Sequence, residues 1–154
     1  MKAYDHTQRG WLQAVMLISA GACTAGGWVN RSEPPVFELL AVLAGVFFVL
    51  SWAFGSLTVC DEGARLAVRF GPLPLFRKHI PYAEMTGAEP CRTSFWAGWG
   101  IHQTRRGWLW NIAGREAVAI STRKGSTLVG TDDVQGLLTF LKTKIPATAE
   151  KKAP

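Results

Sequence analysis

An α+β membrane protein, built as a two-helix transmembrane hairpin followed by a small antiparallel β-barrel or sandwich with one closing helix, is what these 154 residues predict. Three observations carry that expectation. Two long apolar runs fill most of the first sixty residues, short alternating segments follow them, and a single amphipathic stripe lies near the end. Hydrophobic residues make up 48% of the chain, and their concentration before residue 60 suits an anchor plus one small domain.

Residues 11–29, "WLQAVMLISAGACTAGGWV", hold no charge and only Gln13 as a strongly polar side chain. As a helix this run reaches about 28 Å, close to the roughly 30 Å of a bilayer's hydrocarbon core. Residues 36–57 give a second span with Glu38 near its entrance. Residues 30–35, "NRSEPP", leave room only for a tight periplasmic turn, so the two helices should pack antiparallel. Trp11, Trp28 and Trp52 stand towards span ends, where aromatic rings favour the headgroup layer. Small residues four apart, among them Gly21 with Ala25, Gly26 with Ala22, Ala41 with Gly45 and Gly55 with Ser51, let helix backbones approach in lipid. "AGAC" at 20–23 has the look of a lipoprotein cleavage box, but the apolar run continues past signal-peptide length and a second span follows.

Lys2 and Arg9 precede the first span, Arg31 stands alone in the turn, and Arg65, Arg69, Arg77 and Lys78 follow the second. The positive-inside rule therefore predicts both termini in the cytoplasm, with residues 1–10 as a cytoplasmic lead. The net charge of +6 is also what a nucleic-acid binder would carry, yet basic residues on the cytoplasmic side of an anchor account for it, and no nucleic-acid partner is expected.

From residue 58 the period changes to two. "ARLAVRF" puts Leu66, Val68 and Phe70 on one face, "RGWLWNI" does so with Trp108, Trp110 and Ile112, and "EAVAIST" with Val118 and Ile120. "DEG" and "RKGS" read as hairpin turns. Asp132 with Gln135 suggests a capping box, and Val134, Leu137, Leu138 and Leu141 repeat at helical spacing, with Gly136 costing up to about 1 kcal/mol relative to alanine. The domain is expected over 58–145, and 146–154 as a polar tail.

The stretch 98–133 resembles the bacterial pleckstrin-homology-like (PH-like) domains of small membrane proteins. Gly98, Gly100 and Ile101, then Arg106 to Leu109, Asn111 with Gly114, and Gly130 to Asp132 carry the likeness, which spans roughly residues 57–142. It implies a PH-like fold and a bacterial inner-membrane location. His102 stands where an arginine is common. Eukaryotic relatives that bind phosphoinositides use a basic loop between their first two strands; here that loop is the acidic "CDEGA", so headgroup recognition by that route does not carry over.

The chemistry-bearing residues are sparse. His6, His79 and His102 are scattered without metal-ligand spacing, the three cysteines show no CxxC, and no phosphate-loop glycine motif is present, so no metal or cofactor is expected. What stands out is the run from 92 to 111, with four of the seven tryptophans. Arg92, Phe95, Trp96, Trp99, His102, Arg105 and Arg106 form the candidate surface for lipid or a partner, while Trp108 and Trp110 are expected in the core. The leading expectation is a non-catalytic binding or scaffolding module acting at the bilayer on a lipid surface or a membrane-protein partner. Its rivals are an assembly factor for a larger membrane complex, a membrane-bound enzyme using His102 with Arg105 and Arg106 on a phosphorylated lipid, and a nucleic-acid binder.

Overall fold

A computed structural model describes residues 3–94 and 100–145. The chain is α+β: two N-terminal apolar helices, two β-sheets and a C-terminal helix. Its first element is a strand, β1 (Asp5–Arg9), which is followed by the helices α1 (Leu12–Val29) and α2 (Pro34–Ala53) and then by β2 (Ser56–Asp61) and β3 (Arg65–Gly71). β4 (Arg77–Pro81), a 3-10 turn (Tyr82–Glu84), β5 (Met85–Arg92), β6 (Gly100–Thr104), β7 (Gly107–Asn111), β8 (Glu116–Thr122), β9 (Gly125–Gly130) and α3 (Val134–Lys144) complete it.

Residues 1–10 are therefore not merely a lead. β1 pairs antiparallel with β2, Arg9 opposite Ser56, so the helical hairpin is an insertion between two neighbouring strands of one sheet. β1 has almost no apolar residue to signal it and is held by polar contacts instead. Gln8 is buried, its amide donating to the Ala113 carbonyl (3.1 Å) and its side-chain oxygen accepting from the Asp132 N–H (3.1 Å).

The sheets are β1-β2-β3-β4 and β5-β8-β9-β7-β6, and they do not close into a barrel. Nor is the second sheet purely antiparallel: β7 runs parallel to β9, with Trp108 opposite Thr127 and Trp110 opposite Val129. The alternation expected in the strands is present. Leu66, Val68 and Phe70 from one sheet meet Trp110, Ile112, Val118 and Ile120 from the other, and Leu137, Leu138 and Leu141 of α3 complete the same core. Each such side chain fully withdrawn from water contributes about 1.5–3 kcal/mol. A smaller cluster of Leu109, Ala119 and Leu128 lies on the opposite face of the second sheet.

Two local expectations need correction. The α3 cap is Asp133, not Asp132: Asp133 Oδ1 accepts from the Gly136 N–H at 3.0 Å. A Cβ on Gly136 would lie 2.1 Å from that carboxylate, so glycine there makes room for the cap. Gly136→Ala should consequently fail to stabilise the domain, because the roughly 1 kcal/mol of helix propensity is offset by a displaced cap worth about as much. A thermal midpoint raised by several degrees would contradict this. The second correction concerns Trp108, which lies on the core-facing side of β7 as its spacing requires but is 46% exposed, because the core ends before it.

Candidate functional site

Two regions of the domain gather exposed aromatic and basic side chains: the base from which the hairpin emerges, and a groove that runs from Lys78 to Trp108 and Lys124 at the other end of the strands. At the turn end of the hairpin, α1 and α2 pack on each other along Gly26 and Gly27, which face Leu40, while Gly27 also meets Phe37. Gly55 is fitted against Gln13 and the Gly71 carbonyl, which places the one strongly polar residue of the first apolar run beside the domain and not in mid-span. Gly10 lies against the backbone of Ile112, so the C-terminal end of β7 marks the hairpin side.

Each helix holds an 18-residue apolar window of which only 11% is buried. Ile18, Leu39, Val42, Phe48 and Val49 stand outward, each about half exposed or more. Of the eight small residues picked out for helix packing, Gly26 and Gly55 meet a neighbour, Ser51 is buried and Ala22 is exposed. Gly21, Ala25, Ala41 and Gly45 are exposed, and no side chain approaches the open side of Gly21 or Gly45.

Gly107 begins β7 at its other end, about 17 Å from Ile112 at roughly 3.3 Å per residue. Arg105 and Arg106 form the β6–β7 turn there, far from the hairpin, and Arg106 reaches across to Glu89 of β5 at 3.0 Å. His102 sits mid-strand opposite Leu109, its Nε2 buried without a partner among the described residues. Arg92 ends β5 beside the start of α3, where Cys91, Glu116, Asp132 and Asp133 line an open cavity of about 470 Å³. Burial pushes the Cys91 thiol up, which keeps it protonated and a poor nucleophile at neutral pH. Arg92 thus belongs to β5, and His102 with the Arg105–Arg106 turn to β6, the two end strands of the sheet order. Phe95, Trp96 and Trp99 lie outside the described residues.

No protein-family model, curated protein or solved structure matches this chain.

The groove is what strand-by-strand reading missed. Where the two sheets part, Lys78, His79 and Ile80 of β4 face Trp108 of β7 and Lys124 of the β8–β9 turn across an opening of about 420 Å³. Burial lowers the pKa of Lys78. Lys124 is paired with Glu84 at 3.1 Å, and His79 lies 3.7 Å from Glu62. An exposed indole flanked by lysines and by paired acids is a surface that buries apolar area and then orients a ligand by charge. The signal available in the sequence was a second tryptophan on the same face of "RGWLWN", Trp108, two residues nearer the turn than the buried Trp110.

Proposed function

We propose that this chain is an integral membrane protein of the bacterial inner membrane whose PH-like domain is a non-catalytic binding module facing the cytoplasm. The observation that carries the reading is the insertion of two exposed, apolar, membrane-length helices between β1 and β2. As a soluble object the hairpin would leave Ile18, Leu39, Val42 and Phe48 in water. Because β1 and β2 are hydrogen-bonded neighbours, the chain before α1 and the chain after α2 belong on one side of any bilayer the hairpin crosses. The sparse basic charge of the turn, Arg31 alone, favours the cytoplasm as that side.

The module's working surface is the groove around Trp108, and its ligand is a segment of a protein partner. Its Trp108 and Lys124 side lies away from the hairpin base and so from lipid, and Trp108 with Lys78 and Lys124 suits an apolar anchor beside a carboxylate. The PH-like reading draws on the two facing sheets and the closing helix; the parallel β7–β9 pair and the inserted hairpin are departures from a plain antiparallel barrel.

The test is site-specific photocrosslinking in native membranes from position 108, compared with position 63 in the β2–β3 turn. A discrete protein adduct from 108 that is absent from 63 and lost in a Lys78→Glu background is expected. Adducts of equal pattern from both positions would remove the groove from consideration, and a reporter fused after Lys152 that is active only outside the cytoplasm would overturn the orientation.

A further inference from the structure

We propose that the β3–β4 loop, residues 72–76, inserts into the same membrane leaflet as the hairpin base and forms a third apolar contact that sets the tilt of the domain on the lipid surface. This rests on the membrane reading above. The loop reads Pro-Leu-Pro-Leu-Phe, and its side chains point outward: Leu73, Leu75 and Phe76 are 43%, 56% and 37% exposed. Outside the hairpin, the exposed large apolar side chains among the described residues are these three and Trp108. Three apolar side chains on one short exposed loop are an unusual concentration of such surface, and it needs a cover.

The position of the loop identifies that cover. The Leu73 N–H donates to the Trp52 carbonyl at 3.2 Å, in the last turn of α2, so the loop lies at the depth where α2 leaves its apolar span. Trp52 is itself exposed there, as an interfacial ring would be. A lipid surface that meets Trp52 meets Leu73 and Leu75 as well. A protein partner would have to displace lipid to reach the same place.

The loop is also built to enter a medium without water. Pro72 and Pro74 carry no N–H, and the Leu73 and Leu75 amides both have protein acceptors, Leu75 donating to the Leu73 carbonyl at 2.8 Å. Its orientation is locked. Phe76 stacks on Phe54 (5.2 Å between centroids), Phe54 meets Phe70 edge-on (4.9 Å), and Phe70 stacks on Trp110 (5.8 Å) in the core. Arg69 and Arg77, paired across β3 and β4 and both exposed, stand just behind the loop at the level of anionic headgroups.

The experiment uses the full chain in nanodiscs of phosphatidylcholine and phosphatidylglycerol, with Cys23, Cys60 and Cys91 replaced and one environment-sensitive fluorophore attached. Leu75→Cys, Val42→Cys in mid-span and Lys124→Cys at the far turn are the three positions. Nitroxide placed near the headgroup end of the acyl chain should quench the probe at 75 roughly threefold and leave 124 unaffected, with 42 quenched by nitroxide set deeper. Quenching at 42 without quenching at 75 overturns the loop proposal and leaves the membrane reading standing. No quenching at 42 overturns the membrane reading and the loop with it. Should the cysteine-free chain not fold, Leu75→Asp in the native background substitutes. Tryptic cleavage at Arg77 in nanodiscs should then run roughly tenfold faster than in the unaltered chain with cleavage at Lys124 unchanged, since a lifted loop exposes the bond. Equal rates at Arg77 overturn the proposal.

Discussion

Gly107→Ala is expected to cost the domain about 3–4 kcal/mol, more than any other glycine substitution in it. Gly107 opens β7 at φ +127°, in the region that side-chain-bearing residues rarely adopt. A Cβ there would also sit 2.1 Å from the Ser126 carbonyl oxygen, which is backbone of β9. Backbone cannot swing aside as a flexible side chain does, so the parallel pair β7–β9 must separate just where Trp108 meets Thr127. These strands are central in the five-stranded sheet, and Trp110 and Val129 beyond them belong to the core.

Gly100→Ala is the matched control. Gly100 also has a positive φ, +101°, but among the described residues nothing lies within 4 Å of its missing Cβ, so it should lose only the backbone strain of about 1–2 kcal/mol. Denaturant unfolding of the two variants, followed by tryptophan fluorescence, separates the terms. Equal losses would mean that the close approach of the two backbones does not constrain this position.

That contact gives a physical reason for the glycine in "RGWL", a motif that in the sequence only marked a likeness. Other parts of the molecule were legible directly. The helices were readable because a continuous apolar run has few other uses, and the α3 stripe because Leu137, Leu138 and Leu141 return to one face. The alternation of "ARLAVRF" found the inward face of β3. β1 was not legible, since "DHTQR" has no apolar period and is held by Gln8 and by pairing that only the fold supplies. Nor could periodicity reveal that the hairpin interrupts a sheet, that β7 and β9 run parallel, or where along β7 the core stops. Those are facts of long-range pairing, and the spacing of residues within one strand is silent about its neighbour. The same gap placed Arg92 on β5 and His102 with the Arg105–Arg106 turn on β6, at opposite ends of the sheet order. Conversely it brought Lys78 and Lys124 together around Trp108.

Asp61→Ala is expected to cost about 2–3 kcal/mol and to change how stability depends on pH. Asp61 ends β2 with its side chain only 8% exposed, and three donors converge on it. The Tyr82 hydroxyl (2.8 Å) and the Gly63 N–H (2.8 Å) meet Oδ1, and the Lys144 ammonium meets Oδ2 (3.0 Å). Lys144 also lies over the Tyr82 and Phe140 rings, so the carboxylate ties β2, the 3-10 turn and the end of α3 into one assembly. Removing it leaves the Tyr82 hydroxyl without its acceptor. Lys144, 22% exposed, can regain some water, which is why the loss falls below that of a fully buried pair.

Burial pushes the Asp61 carboxyl up, but the bonds from Lys144, Tyr82 and the Gly63 amide outweigh it and hold the group below its ordinary 3.8. A folded-state value below the unfolded one means that this stabilisation is present above about pH 4 and is lost as pH falls through the folded value. Tyr82 and Tyr4 shift the other way. Burial first, then the neighbouring carboxylates of Asp61 and Asp133, raise both phenols well above 10.0, so their contribution holds below about pH 10 and fades as alkali ionises the unfolded chain. The unaltered domain should therefore show a stability plateau bounded by an acid limb and an alkaline limb. Asp61→Asn removes the titrating group and one attraction that raises Tyr82, so its acid limb should flatten and its alkaline limb should weaken only in the Tyr82 part. Tyr4, which donates to Asp133 at 3.2 Å, keeps its share. An acid limb of unchanged slope in Asp61→Asn would assign the acid sensitivity to other carboxylates and reduce the Asp61 cluster to a packing contact.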